Sequence, residues 1–345
     1  MDPVSQGALG AAASQAVATR KELAMAGVMG FLSGMAADLD ILIHSDNDPL
    51  LFLEYHRQFT HSLLFMPIGG LICACVFWLL FHYFFKTSTP RFQHIYLYSF
   101  IGYSTHGLLD SCTSYGTQLF WPFSNERFAW NNISIVDPLF TLPLLLLLGL
   151  TIAKRSKLLS YLTIAYAISY LTLGLVQANR ATDYAYQLAY SRGHTPLELS
   201  VKPSFMNIIV WKSIYHYQGR YYVDAIHAGT KGRYFAGDST LKFSISRDMP
   251  WLDNASQQAK DISRFSWFSE DHLALDATNP LRIIDMRYSM LPNRLDGLWG
   301  IELSKTASMT EHVKWTHNRG GSDRNENIKM LWSMIKGINA KELPS

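Results

Sequence analysis

Cysteine is scarce in this sequence and absent from its second half. The three cysteines, Cys73, Cys75 and Cys112, all lie in or beside apolar segments. Residues 181–345 therefore contain no disulfide framework of the kind that small secreted domains use. This absence neither places the second half outside the cell nor excludes it from there, because disulfides are common outside the cell but not obligatory.

A strong net charge and a signal peptide are also lacking. The chain has 30 Lys and Arg against 27 Asp and Glu, a formal net charge of +3. Nucleic-acid binding needs a basic face, and no Lys/Arg-rich stripe is present, so we expect no nucleic-acid partner. The first residues lack the basic region and long apolar core of a signal peptide, so we expect the membrane segments themselves to direct targeting.

Long apolar runs are concentrated in the first 180 residues. The clearest run covers residues 63–85, and its only ionisable side chain is His82. About 20 apolar residues suffice to cross a bilayer. We therefore predict a membrane-embedded all-α helical bundle over residues 1–180, with about five to six membrane helices. The further predicted spans are residues 4–19 (a weak span rich in small residues), 23–43, 95–109, 139–153 lengthened toward Ser134, and 158–178.

Basic residues predict the orientation of this bundle. The most basic short connection, at residues 154–157, is assigned to the cytoplasm. Alternation of spans then places the basic connections at residues 20–21 and 86–91 on the same side. The loops at residues 44–61 and 113–133 fall outside. The polar half also falls outside, which is the periplasm in a bacterium.

The predicted topology gathers seven potential metal ligands from four segments at the outer boundary of the membrane. Charged groups inside a bilayer cost about 2.5–3.5 kcal/mol at its centre, so such residues are functional candidates. Imidazole with carboxylate suits zinc best, and manganese or iron where carboxylates dominate. More than four ligands leave room for one or two ions. The seven residues are Asp38, Asp40, His56, His61, His106, Asp110 and Asp137.

The spacing of these residues predicts local geometry. His106 and Asp110 are four apart and share one helix face. His56 and His61 are five apart, so one of them must precede the helix if both face one point. Asp38 and Asp40 would point to nearly opposite sides of a regular helix, so we expect the chain to leave the α-helical conformation there.

Structural roles also account for single members of the set. Asp137 before Pro138 is a good helix N-cap with proline at the first helical position. Asp110 can cap the following loop, and Arg57 can pair with Glu54 or Asp40. The placement of all seven residues at one boundary nevertheless favours a metal site.

Four stretches carry a family resemblance. They are Ala36–Asp40 (AADLD), residues 56–65 (HRQFTHSLLF), 106–124 (HGLLDSCTSYGTQLFWPFS) and 135–146 (IVDPLFTLPLLL). Their order and spacing resemble the YdjM-like family of membrane-bound metal-dependent hydrolases, the LexA-regulated inner-membrane proteins. The likeness is strong over residues 1–155 and looser beyond. It implies a bacterial inner-membrane location and a metal-dependent hydrolase.

The resemblance also assigns positions. Members usually begin Met-Asp-Pro-x-Thr-His, whereas this chain begins Met1-Asp2-Pro3-Val4-Ser5-Gln6, so Gln6 stands where the family has histidine. Glutamine is a poorer metal ligand, so, if the family histidine is a ligand, we expect the loss of one metal, a changed metal preference or lost activity. The family pattern otherwise maps onto Asp38, Asp40, His56, Arg57, Thr60, His61, His106, Asp110 and Asp137.

Residues 181–345 are polar, and strand patterns begin near Pro203. Two strand patterns flank Gln218-Gly219-Arg220, which predicts a β-hairpin. We predict a small soluble α+β domain with an antiparallel sheet. No nucleotide-binding loop, Ser-His-Asp pattern or paired-cysteine motif is present. The predicted strands are 208–217, 221–227, 240–246, 281–288, 298–303 and 312–316, and the predicted helices are 255–268 and 325–338.

Three functions compete on these observations. The leading hypothesis is a metal-dependent hydrolase at the outer face, acting on a phosphoester or lipid-linked substrate. In it, Arg57 steadies a substrate anion and Asp40 serves as the general base. The alternative is a non-enzymatic metal-binding or scaffolding membrane protein with a partner-binding polar domain. A transporter is less favoured, because the groups gather at one end and no inverted repeat is present.

Overall fold

The computed structural model of the chain describes residues 1–84, 90–318 and 324–343. These residues divide into two compact units, a helical unit and a sheet unit. The end of the predicted span at Phe85 and the predicted inner connection at Lys86 lie outside the described residues. The sequence-based boundary at residue 180 stays a prediction. The helical unit contains Met1–Ile43, Tyr55–Leu175 and Phe205–Asn207, and the sheet unit contains the remainder, including His44–Glu54.

The N-terminal region is helical. Two 3₁₀ helices interrupt it, at Ala36–Leu42 and Phe59–His61. Helix α7 begins in the helical unit and ends in the sheet unit. The α-helices are α1 (Pro3–Val17), α2 (Leu23–Met35), α3 (Leu51–Tyr55), α4 (Met66–Phe84), α5 (Phe92–Ser111), α6 (Pro138–Lys154) and α7 (Lys157–Ser191).

Three helical segments of the described chain are long and apolar enough to cross a membrane. They are Leu23–Leu42, Met66–Phe84 and Lys157–Ser191, while α6 is apolar but shorter. Large apolar side chains on α4, such as Leu79 and Leu80, are exposed, as expected of a surface that faces lipid. A helical N-terminal region with three candidate spans is therefore confirmed, whereas the count of five to six is not.

Helices α1, α2 and α5 approach one another at glycines. A Cβ atom on Gly10 would lie 2.4 Å from the backbone oxygen of Gly30, and one on Gly102 would lie 2.6 Å from the Gly30 Cα. Small residues allow such close helix contacts in membranes, where van der Waals packing replaces the hydrophobic driving force. This crossing fixes the ends of α2 and α5 relative to each other.

A lysine joins α7 to the C-terminal end of α1 inside the helical unit. The Nζ of Lys157 donates to the backbone oxygens of Gln15, Ala16 and Ala18, at 3.1, 2.6 and 2.8 Å. These carbonyls lie at or just beyond the end of a helix, where a cation is favoured. The basic connection at residues 154–157 therefore packs at the end of α1 that is opposite Pro3.

The sheet unit contains two antiparallel sheets. One sheet has the strand order β1-β2-β3-β4-β10 with β5 paired to β3, and the other has the order β6-β7-β8-β9. The strands are β1 (Glu198–Pro203), β2 (Val210–Tyr217), β3 (Arg220–Ala228), β4 (Gly232–Phe235), β5 (Ser239–Leu241), β6 (Leu273–Leu275), β7 (Arg282–Asp285), β8 (Trp299–Glu302), β9 (Lys314–His317) and β10 (Lys341–Glu342); the helices are α8 (Ile245–Asp248), α9 (Gln257–Phe268) and α10 (Arg324–Ile335).

The structure confirms an antiparallel-sheet domain and its predicted hairpin. The turn between β2 and β3 has positive φ at Gln218 and Gly219, 48° and 73°, the conformation that a tight two-residue hairpin requires. The strand predicted over residues 240–246 is shorter, because α8 begins at Ile245. The Asp248 carboxylate accepts the backbone N–H of Ser244 at 2.9 Å and stabilises this turn.

The segment His44–Glu54 packs within the sheet unit. Arg264 of α9 contacts Asp48 at 2.8 Å and Glu54 at 2.6 Å. Phe52 meets the ring of Trp315 edge-on, with centroids 5.1 Å apart. Glu54 is therefore paired with Arg264, and the pairing with Arg57 considered from the sequence is not observed.

We predict that Gly102→Ala destabilises the helical unit by about 1–3 kcal/mol, the usual cost of overpacking. The matched control is Gly149→Ala in α6, where a Cβ atom meets nothing within 4 Å. Thermal unfolding in detergent measures both variants. A melting temperature of Gly102→Ala equal to that of the control would contradict the close helix crossing.

Candidate metal centre

The end of α2 presents the first two carboxylates of the site. The α-helix ends at Met35, and the chain continues as the 3₁₀ helix Ala36–Leu42. The chain thus leaves the α-helical conformation where the spacing of Asp38 and Asp40 predicts it. Asp40 is buried, while the side chain of Asp38 is 24% exposed.

Four side chains converge on one point. Ligand atoms of Asp38, His61, His106 and Asp110 all lie within 4.8 Å of one another. The two imidazole Nε2 atoms are 2.9 Å apart. Asp38 Oδ1 lies 3.2 Å from the Nε2 of His106 and 3.5 Å from that of His61, and Asp110 Oδ2 lies 3.3 Å from the His61 Nε2.

Hydrogen bonds on the far side of each imidazole favour Nε2 as the coordinating atom. His106 Nδ1 lies 2.6 Å from the Gly34 backbone oxygen, which can only accept a hydrogen bond, so Nδ1 carries the proton. His61 Nδ1 lies 2.9 Å from the Thr60 hydroxyl, which itself donates to Asp40, and 3.3 Å from Asp40 Oδ2. A histidine whose other nitrogen donates to a carbonyl or carboxylate is the usual metal-binding arrangement.

The electrostatics of this point favour a positive charge. Burial alone would lower the pKa of His61, but the carboxylates of Asp110, Asp38 and Asp40 raise it to about 10. The Arg57 guanidinium is also buried, and its Nε lies 2.9 Å from Asp110 Oδ2. The site therefore compensates several buried carboxylates with cationic groups.

A second group adjoins the first through Asp38. Asp38, Asp40 and His56 offer ligand atoms within 4.8 Å of one another. Asp40 Oδ1 lies 2.8 Å from His56 Nδ1, and Asp40 Oδ2 accepts from the Arg57 backbone N–H and the Thr60 hydroxyl, at 3.0 and 2.8 Å. These bonds orient the Asp40 carboxylate rigidly beside the first group.

Arg57 occupies a specific place in the centre. Its backbone has a positive φ of 65°, which turns the chain between His56 and the 3₁₀ helix Phe59–His61. Its guanidinium also donates to Thr113 at 3.0 Å and lies over the Tyr115 ring, 4.6 Å from the centroid. Thr113 and Tyr115 were not among the predicted site residues, although both belong to the motif that begins at His106.

Gln6 enters the centre from α1. It is buried, and its Nε2 donates to Asp110 Oδ1 at 2.6 Å. The Met1 amino group contacts the same carboxylate oxygen. Among the described residues, the buried Gln6 Oε1 atom has no hydrogen-bond partner. A buried oxygen without a donor, on a side chain that bonds the Asp110 carboxylate, fits a bound divalent cation.

Asp137 lies outside both groups. Its Oδ1 accepts the backbone N–H groups of Leu139 and Phe140, at 3.1 and 3.3 Å, at the start of α6. Tyr170 donates to the carboxylate at 2.9 Å. The structure thus brings together six of the seven predicted residues. Asp137, the seventh, is the N-cap of α6, which is the structural role that the sequence also allowed.

Comparisons with known proteins concern the same region. A family model described as YdjM inner membrane protein matches residues 1–181. The Bacillus subtilis (strain 168) protein YfhP is 24% identical over 281 residues, which cover 77% of this chain and 78% of YfhP. The Escherichia coli (strain K12) inner membrane protein YbcI is 30% identical over 110 residues, 31% of this chain and 60% of YbcI. No solved structure gives a significant match.

The contacts of Asp137 predict that substitutions at this position change the stability of the protein and not its metal content. Asp137→Leu should lower stability by about 1 kcal/mol through loss of the cap, with its metal content unchanged. Asp137→Asn should keep both the stability and the metal content of the parent protein, because asparagine is as good an N-cap residue as aspartate. Thermal unfolding and metal analysis measure these outcomes, and loss of metal in Asp137→Asn would make Asp137 a ligand.

We predict that Gln6→His raises the affinity of the purified protein for Zn²⁺, because imidazole is a stronger ligand than a carboxamide. The control is Gln15→His, since Gln15 is a buried residue of the same helix that bonds the Leu23 backbone oxygen instead. Calorimetric titration measures the two affinities. Equal affinities in both variants would exclude Gln6 from the coordination sphere.

Proposed function

The chain belongs to the YdjM inner membrane protein family, and we propose that it is a metal-dependent hydrolase of a phosphoester substrate carried on a lipid. The observation that carries this proposal is the convergence of His61 and His106 Nε2 with Asp38 and Asp110 oxygens on one point. Each imidazole is held by a bond at its other nitrogen. Such sites hold an ion in a fixed, reactive geometry.

Two nitrogens and two oxygens suit zinc, with manganese or iron as further candidates. Asp38, His61, His106 and Asp110 would hold this ion. Asp40 and His56, with Asp38 shared, would hold a second ion where two are bound. A divalent cation in this position supplies Lewis acidity toward a phosphoryl oxygen.

The side chains around the ion have separate proposed roles. Arg57 pairs with Asp110 through its Nε atom at 2.9 Å, and it would steady the negative charge of a substrate phosphoryl group. Asp40 would accept a proton from the attacking water, since its carboxylate is held in place by Thr60 and the Arg57 backbone. His56 is 18% exposed and bonds Asp40, so it would pass that proton to solvent.

The membrane arrangement is part of the proposal. We infer that α1, α5 and α6 accompany the three candidate spans in a multi-pass bundle of the inner membrane. Within the helical unit, Gln6 near the start of α1 lies in the metal centre, while Lys157 contacts the other end of α1. Because basic connections stay in the cytoplasm, this supports a metal centre at the outer face and a periplasmic sheet unit.

The first test is metal content and hydrolysis in the detergent-purified protein. We expect one or two equivalents of zinc, and cleavage of bis(p-nitrophenyl) phosphate that is zinc-dependent. His61→Ala and Asp110→Asn should lose metal affinity by about 10–100-fold or more and lose hydrolysis with it. His82→Ala is the matched control, because His82 stacks on Trp78 within α4.

The outcomes separate the two candidate functions. Absence of stoichiometric metal from the parent protein and from both site variants alike would overturn the metal centre. Metal that depends on His61, without hydrolysis of any phosphodiester, would favour the non-enzymatic metal-binding or scaffolding alternative. The glutamine at position 6, where the family usually has histidine, is the observation that keeps this alternative in view.

A further inference from the structure

A cavity of about 420 Å³ adjoins the metal centre inside the helical unit. Its polar end is formed by Asp40 and Thr60, and both residues bond the histidines of the centre. The rest of its lining is almost entirely apolar. The walls away from the centre include Leu32, Ile72, Cys73, Val76 and Phe77.

Both long walls of this cavity belong to candidate membrane spans. Leu32 lies on Leu23–Leu42, and Ile72 and Val76 lie on Met66–Phe84. These side chains are also half-exposed, at 48%, 54% and 49%. Because the flank of a membrane span faces lipid rather than water, the cavity is a groove that opens sideways into the bilayer.

The dimensions of the groove match one hydrocarbon chain. Along α4 the lining runs from Gly69 to Phe77, a helical rise of roughly 12 Å. Dividing the cavity volume of about 420 Å³ by this length gives a mean cross-sectional area of roughly 35 Å². A groove of this cross-section accommodates a single extended chain.

The chemistry along the groove matches an amphiphile. Carboxylate and hydroxyl groups stand at the end that meets the metal centre, and none of the described residues that line the remainder carries a charge. A water-soluble phosphoester would contact only the polar end. Lipid tails are as apolar as these walls, so moving a tail into the groove is nearly neutral in energy. The groove would therefore orient the lipid more than it would tighten its binding.

We propose that this groove holds one acyl chain of a membrane phospholipid and so delivers the phosphoester to the centre formed by Asp38, His61, His106 and Asp110. The assignment of a reaction to that phosphoester rests on the proposed function. The occupancy of the groove by a chain does not, because it can be measured without hydrolysis.

Photolabelling tests the groove directly. The full chain is placed in phosphatidylethanolamine and phosphatidylglycerol vesicles that contain a phospholipid with a diazirine on its acyl chain. We expect labels on the groove residues Ile72 and Val76 to exceed those on Ile68 and Leu71, which are similarly exposed on α4 but do not line the groove. Equal labelling of the groove residues and the control residues would overturn the proposal.

A matched pair of variants adds a second measurement. Ile72→Trp fills the groove, whereas Leu71→Trp adds the same side chain at the neighbouring exposed position, which does not line it. Ile72→Trp should lower labelling of Cys73 by about tenfold, the scale on which apolar pockets discriminate. Leu71→Trp should leave it unchanged, and zinc content should stay at the parent level in both. Equal labelling in the two variants would contradict the groove assignment.

Hydrolysis separates the groove from the proposed function. Ile72→Trp should lower cleavage of a long-chain phospholipid while cleavage of soluble bis(p-nitrophenyl) phosphate stays unchanged. If Ile72→Trp loses both cleavage activities, or loses neither, the groove is not a substrate site. If the parent protein cleaves no phosphodiester, the proposed function fails, and the labelling pattern alone then decides whether the groove holds a chain.

Discussion

The close approach of α1, α2 and α5 is the constraint on which the metal centre depends. At Gly10, Gly30 and Gly102 the three backbones are too close for any side chain. The same closeness continues toward the site, where a Cβ atom on Gly34 would lie 2.8 Å from the Gln6 backbone oxygen, and one on Gly107 would lie 2.3 Å from that of His61. Because lipid provides no hydrophobic force between helices, this shape complementarity positions the site.

A second consequence of the crossing is electrostatic. It brings buried carboxylates from α5 and from the 3₁₀ helix that follows α2 together, and such charges are costly unless they are paired. Arg57 and His61 offset part of the charge. The contact between the Nε2 atoms of His61 and His106, 2.9 Å apart, is favourable only with a proton or cation between them. The helix packing therefore creates the buried negative charge, and a bound cation would stabilise it.

The sheet unit is held together by different means. Buried polar contacts within this unit include the pairing of Arg287 with Asp285 at 2.8 Å. The segment His44–Glu54, which precedes the metal-centre residue His56 in sequence, also packs in this unit through Arg264. The chain therefore passes between the two units at residues 43–44 and 54–55, on either side of this segment, as well as within α7.

Much of this was readable from local patterns. Apolar length identified the three candidate spans, the i, i+4 spacing put His106 and Asp110 on one face, and the Gln218-Gly219 turn set a hairpin. The same local rules could not rank the seven candidate residues, because spacing constrains side chains only within one helix. Taken alone, Asp137 before Pro138 favoured an N-cap, and only its placement with the other six residues favoured a metal ligand.

The sequence by itself determined that this chain has a helical membrane region, which side chains can bind a metal, and which family it resembles. Only the tertiary structure decided that Gln6 lies against Asp110, that Asp38 is shared by two groups, and that Asp137 faces Tyr170 instead. The physical reason is that these contacts join residues far apart in sequence. The contact of Gln6 with Asp110 also depends on Gly10, Gly30 and Gly102, which let α1, α2 and α5 approach closely.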